Sequence, residues 1–219
     1  MPRFGAPSPK QIAEQALKND SSLTAINLSG NAIFKMKSYE NCKIICEALA
    51  NNEYVKELNL SQNEITDADC EWLKKLFENT KTLQSVNLEG NKISSDGCVL
   101  LAQGMNSNES ITMLNVMNQG PFGEACMDAW LDTFNVNISL IDLKWRVSSR
   151  KSFALNAAIT RNRSIQRLRS SGKDWTSLLP DSLKKNTTPP EKIQDEQPPP
   201  EQDDTVSSPP EKEEDNTNE

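Results

Sequence analysis

The sequence predicts an α/β solenoid: about six strand–helix units coiled right-handedly, parallel strands on the concave face, helices on the convex one, and a disordered C-terminal tail. Three observations predict it. A short segment recurs, as LTAINLSGNAI from Leu23, VKELNLSQNEI from Val55, LQSVNLEGNKI from Leu83 and, in degenerate form, ITMLNVMNQGP from Ile111. The copies start 32, 28 and 28 residues apart, and self-similarity at such a period dictates an array of small stacked units. Finally, the chain is too polar to be globular throughout, with 36% hydrophobic residues and a mean hydropathy of −0.64. The deficit sits in one place: Asp181 to Glu219 holds 12 acidic and 4 basic residues, against 19 acidic and 20 basic before it.

The elements follow in order. Ser8, Pro9 and Gln11 read as an N-cap, a first-turn proline and a capping box, opening a helix from Pro9 to about Asn19. Its apolar residues Ile12, Ala13, Ala16 and Leu17 fall on one face, so it closes the near end of the stack. Each unit then opens on apolar residues at offsets 0, 3 and 5: Leu23, Ile26, Leu28; Val55, Leu58, Leu60; Leu83, Val86, Leu88; Ile111, Leu114, Val116. The last two positions of each set alternate as in a strand with one buried face. Asn31, Asn63 and Asn91 follow at offset 8, where a turn leaves backbone groups for an amide to bond. Helices are expected at about Ser38–Ala50, Thr66–Asn79, Ser94–Asn106 and Gly123–Val136. Ile138, Ile141 and Leu143 restart the strand pattern 27 residues after Ile111; a helix from about Arg150 to Arg161 follows, and Ile165 and Leu168 begin a sixth strand 27 residues later. A strand and a helix per unit, neither able to bury its apolar face alone, make a leucine-rich repeat. The expected organisation is a short arm over 1–8, the repeat domain over 9–175, and an acidic, proline-rich tail over 176–219 that lacks the apolar residues to offset chain entropy.

Several features bound the function. There is no histidine and no phosphate-binding loop, nucleophile elbow or paired-carboxylate motif, so no enzyme and no cofactor or metal is expected. Cys42, Cys70, Cys98 and Cys126 are spaced by 28, and with Cys46 they read as small core residues. Helices about 8–10 Å apart would hold such a ladder too far apart for disulfides or for tetrahedral zinc. No run of about 18 apolar residues suggests a membrane span, and the N-terminus lacks the apolar core of a signal peptide, so a soluble cytoplasmic monomer is the expectation.

Charge is segregated. No Lys or Arg occurs between Ile93 and Leu143, whereas Lys144 to Lys173 holds nine basic residues and no acidic one: Lys144, Arg146, Arg150, Lys151, Arg161, Arg163, Arg167, Arg169 and Lys173. Three readings fit: a solvated polar cap on a terminal repeat, a landing surface for an acidic protein, or a dock for the chain's own acidic tail. Nucleic acid fits poorly, because no aromatic residues interleave with these bases in a recognition motif. Strand alternation offers Ala25, Asn27, Ser29, Glu57, Asn59, Ser61, Ser85, Asn87, Glu89, Met113, Asn115, Met117, Leu140, Asp142 and Lys144 on the concave face, with an apolar spot at Met113, Met117 and Leu140 beside the basic end. Trp145 and Trp175 are either anchors for a partner or closures of the core.

Several stretches carry a resemblance: the opening AEQALKNDSSL, a first repeat longer by four residues, ICEALANNEYVKELNL, NVMNQGPFGEACM, and the basic close FALNAAITRNRSIQRLR. Together they resemble the leucine-rich repeat domain of the tropomodulin and leiomodin family, over roughly Pro9 to Lys173. The resemblance implies a non-catalytic cytoskeletal protein that binds actin, at the pointed filament end, with Met113, Met117 and the basic residues Lys144 to Arg169 as the binding set. Tropomodulins also carry an N-terminal half that binds tropomyosin; eight residues precede the first helix here, so tropomyosin does not carry over. The alternative is a generic repeat scaffold for another acidic intracellular protein. Leu183-Lys184-Lys185-Asn186 faintly resembles the short actin-binding motif of leiomodins, with Pro180 interrupting the helix that motif requires.

Overall fold

The computed structural model describes residues 7–146 and 149–184. Helix α1 (Pro9–Leu17) opens the chain behind its capping box: the Ser8 side chain accepts from the Gln11 amide, and the Gln11 side chain from the Ser8 amide. Strand β1 (Ala25–Asn27) follows, then α2 (Ala32–Met36) and α3 (Ser38–Leu49). Regular alternation takes over with β2 (Glu57–Asn59), α4 (Asp67–Asn79), β3 (Ser85–Asn87), α5 (Ser95–Met105), β4 (Met113–Asn115), α6 (Glu124–Val136), β5 (Asp142–Lys144) and α7 (Ser152–Ser170). Helix α2 was not expected; it accommodates the four extra residues of the first unit, capped by Asn31, whose side chain accepts from the Phe34 amide.

The five strands form one parallel sheet in the order β1-β2-β3-β4-β5. Each strand buries its middle residue, Ile26, Leu58, Val86, Leu114 and Leu143 in turn, and turns its neighbours outward. Leu28, Leu60, Leu88 and Val116 continue the buried row just beyond the strands, over helices that contribute Ile45, Leu73, Phe77, Leu101, Trp130 and Phe134. Burial of this kind supplies most of the stability, because strands of three residues would not persist alone.

Two asparagine ladders lock the turns. In the first, Asn63 donates to Leu28 O at 2.8 Å while its own amide donates to Asn91 Oδ1 at 2.8 Å, and Asn91 donates to Leu60 O and Leu88 O. Gln119 stands in the same place in the fourth unit, donating to Leu88 O and accepting from the Ile93 amide. The second ladder, Asn52, Thr80, Asn108, Asn137 and Asn162, sits where helices give way to strands, and the sequence reading missed it. Its signal is an Asn or Thr three residues before the first apolar position of each unit: Asn52 before Val55, Thr80 before Leu83, Asn108 before Ile111. One residue before the first-ladder position, the backbone turns left-handed in the first four units, at Gly30, Gln62, Gly90 and Asn118 (φ 59°, 56°, 67° and 56°). Glycine adopts this freely, whereas a side chain costs about 1 kcal/mol or more.

Four expectations are corrected. The fifth unit is in register 29 residues after the fourth, Met113 opposite Asp142, so Leu140 rather than Ile138 takes the place of Ile111. Leu140 is consequently buried and leaves the concave face. The sixth strand is absent: α7 runs on through Ile165 and Leu168 to Ser170. Asn162 still fills its ladder slot, donating to Asn137 O and Leu140 O, so the repeat pattern survives in side-chain bonding while the backbone stays helical. Order also extends beyond 175, through a 3₁₀ turn (Thr176–Leu178), the buried Leu179 and helix α8 (Asp181–Lys184); the rest of the expected tail, 185–219, lies outside the described residues.

The last correction concerns the cysteines. Cys42, Cys46 and Cys70 are buried thiols, but Cys98 and Cys126 form a disulfide with Cα atoms 5.8 Å apart. The separation of helix axes does not set the distance between first turns. The Gly123 amide, just before α6, donates to Ser95 Oγ at the start of α5 at 2.7 Å and draws the two helix starts together.

Candidate partner-binding face

The register carries two rows across the concave face. Ala25, Glu57, Ser85, Met113 and Asp142 form one, and Asn27, Asn59, Asn87, Asn115 and Lys144 the other. The asparagines are committed to local turns: Asn27, Asn59, Asn87 and Asn115 each accept from the amide two residues on, at 3.0–3.1 Å. Asn115 and Asn118 also donate to the two oxygens of Glu89. The first three units therefore present a polar surface whose asparagine carbonyls are held in local turns, and the row changes character at its far end, where Lys144 replaces asparagine.

There the structure places two clefts. One, of about 140 Å³, is lined by Ser85, Asn87, Met113, Asn115, Asp142 and Lys144. Met113 is 42% exposed, high for a methionine beside a sheet. The second, of about 380 Å³, is bounded by Asn118, Gln119, Pro121, Phe122 and Arg146. Phe122, in the cleft wall, lies against the half-buried Trp145 with ring centroids 6.5 Å apart, and Trp145 packs against the core. Phe122 and Asn118 belong to the fourth-repeat stretch but were not singled out as site residues; the signal was Pro121-Phe122 in a turn, where a core residue is not needed.

The nine basic residues separate into groups. Lys144 and Arg146 are exposed beside the clefts, Met117 is half-buried on the same stretch, and Arg150 is exposed just before α7. Lys151 is held by Glu124 at 3.4 Å and by Asp128, and the hydrogen bond it donates to Asp128 raises its pKa. Arg161 is half-buried: Nη2 donates to Phe134 O at 2.6 Å and Nε to Asn162 Oδ1 at 3.1 Å, and burial lowers its pKa. It secures α7 to the end of α6. Arg163 Nε donates to Ile141 O at 2.7 Å, and its Nη2 lies 3.6 Å from Asp142, which Lys144 also approaches at 4.0 Å. Arg169 stacks over the Trp175 ring, 3.9 Å from the centroid, and lines a groove of about 250 Å³ with Asn108, Asn137 and Leu183 on the side of the fold where α8 sits. Arg167 and Lys173 are exposed. The expected set is thus not one patch, and Met113, Lys144 and Arg146 are the members that line the two clefts.

Among the described residues no cluster of His, Cys, Asp and Glu could hold a metal ion, and no helix is long and apolar enough to cross a membrane. Thr66 and Asp69 form a reciprocal cap at the start of α4, and Asp67 accepts from the amides of Ser94 and Gly97, so the acidic pair is structural.

No curated protein matches the chain. Among solved structures, the fold is similar to the C-terminal domain of a Caenorhabditis elegans tropomodulin, at 22% identity and a TM-score of 0.69, over 76% of this chain and all of that one. It is equally similar to a structure of leiomodin-1 actin-binding site 2, at 22% identity and a TM-score of 0.70, over 76% of this chain and 96% of that one. A family model, the TMOD/LMOD leucine-rich domain, matches residues 9–165. Since that match takes in every strand and the helices between them, the chain belongs to the tropomodulin and leiomodin leucine-rich domain family.

Proposed function

We propose that this chain is a non-catalytic protein-binding module of the actin cytoskeleton, and that its client is actin at the pointed end of the filament. The observation that carries the reading is the change at the end of the concave face. An exposed methionine and a cleft walled by Phe122 stand beside Lys144 and Arg146, after three units whose concave-face asparagine carbonyls are engaged in local turns. An apolar anchor beside exposed positive charge suits an acidic protein surface such as actin's. Family membership and the name of the similar leiomodin-1 site point to the same client. Lys144, Arg146 and Arg150 supply the field, Met113 and Met117 the adaptable contact, and Arg167 extends the basic surface along α7.

The test is co-sedimentation with filaments together with pointed-end elongation at micromolar protein. Charge reversal at Arg146 and Arg150, both exposed, is expected to weaken the effect about tenfold or more without lowering the melting temperature. Arg161→Met is the contrast: it lowers the melting temperature and leaves binding by the folded fraction intact. Wild-type protein without effect on sedimentation or elongation would overturn the proposal.

A further inference from the structure

The cysteine positions of four successive units are equivalent in sequence but not in state. Cys42, Cys46 and Cys70, at the near end, are thiols. Cys98 and Cys126, at the far end, are joined. We propose that the Cys98–Cys126 pair is a reversible dithiol–disulfide element that staples the third unit to the fourth and sets where the solenoid opens from its C-terminal end.

Placement carries the argument. A solenoid is held by nearest-neighbour contacts and frays from its ends. Here both helices beyond α6 bond to its C-terminal end: Arg161 of α7 donates to Phe134 O, and Ser182 of α8 to Asn135 O. A covalent link from α5 to α6 therefore steadies one seat of these two helices, the other being the strand pairing of β5 with β4. Both cysteines are buried, so exchange with a soluble thiol waits on the far end opening, and the bond in turn limits that opening. The indole Nε1 of Trp130 lies 3.3 Å from Cys98 Sγ, and the buried indole fixes that sulfur's place. At the near end, the sulfurs of Cys42 and Cys46 lie 3.9 Å apart within one helix and Cys70 is a thiol, so no covalent link joins successive units there.

The reaction balances with a low-molecular-weight disulfide, RSSR, as oxidant. One cysteine thiolate attacks it to give a mixed disulfide and release RSH; the second displaces the other RSH and the Cys98–Cys126 bond forms. Two electrons pass to the oxidant, which leaves as two thiols, and an excess of RSH reverses both steps. The link also fixes the start of α6, two residues after Phe122, so the cleft that Phe122 shares with Arg146 is held more firmly in the oxidised form.

The test needs no variant to begin. The full chain is equilibrated in glutathione buffers from reducing to oxidising, trapped by alkylation in denaturant and weighed. All five cysteines are expected to be alkylated at the reducing limit and three at the oxidising limit, with peptide mapping placing the bond at Cys98–Cys126. The melting temperature is expected to fall on reduction by about 10 °C, as for a closed loop of some 30 residues in a domain of this size. Cys126→Ala abolishes this dependence, and hydrogen exchange in reduced wild type spreads from α7 into α6. Five alkylated cysteines in every buffer, three in every buffer, or a bond mapped to another pair would each overturn the proposal.

Discussion

Asn137→Ala is the sharpest test of how this solenoid is held together. The side chain is 2% exposed and makes four hydrogen bonds, donating to Met105 O and Asn108 O at 2.7 Å each and accepting from the amides of Ser139 and Leu140 at 3.0 and 2.9 Å. Met105 O also receives the Asn108 amide, so truncation orphans three backbone groups rather than four. At about 1–2 kcal/mol for each buried unsatisfied group, the expected loss is about 3–6 kcal/mol, a large share of the stability of a domain this size. Asn27→Ala is the control. Its carbonyl accepts one bond, from the exposed Ser29 amide, and water replaces it, so the loss stays below about 1 kcal/mol. Urea unfolding followed by circular dichroism measures both, with the m-value checking that the transition remains comparable. A loss below about 1 kcal/mol for Asn137→Ala would refute the reasoning, because it would mean that strand pairing and apolar burial alone fix the turns.

Two further outcomes follow from the structure. A Cβ at Gly104 would sit 2.9 Å from the Lys74 backbone of α4, so Gly104→Ala forces α5 away from α4 and is expected to cost about 1–3 kcal/mol in the same titration; a stabilised variant would contradict the close approach. Gln15, then the Ser22 hydroxyl and amide, hold the Asp20 carboxyl at about 2 rather than 3.8, so its contribution is present above 3.8 and lost as pH falls towards 2. Comparing melting temperatures of wild type and Asp20→Asn over that window checks the sign: the gap between them should narrow as pH falls, and parallel curves would refute it.

The fold was legible because the repeat imposes the same burial on every copy. Leu58, Val86 and Leu114 announce the strands, and Thr66 and Ser94 announce the helices that follow. The fifth unit was misaligned because Ile138 and Ile141 mimic the strand spacing, while the decisive signal, Asn137 three residues before Leu140, belongs to the second ladder, which the sequence reading passed over. The disulfide was missed because helix spacing is an average that does not fix the separation of first turns, which Gly123 and Ser95 bring together between α5 and α6. Charge gave the region of the candidate site but not its members. Arg161 and Lys151 look like Arg146 in sequence, and only their partners, Phe134 O and the carboxylates of α6, show that they are engaged within the fold.

The bond from Arg163 to Ile141 O has a meaning that emerges along the sheet. Thr24 O, Lys56 O, Gln84 O and Thr112 O each receive amides from the next unit, and Ile141 O is the next member of that series. Its donor is a guanidinium instead of another strand. The exposed edge of a parallel sheet is an invitation to further pairing, by a neighbouring molecule as readily as by the same chain. With that acceptor filled, the Arg163 side chain closes one pairing position on the outer edge of the last strand, where α7 continues as a helix in place of a sixth strand.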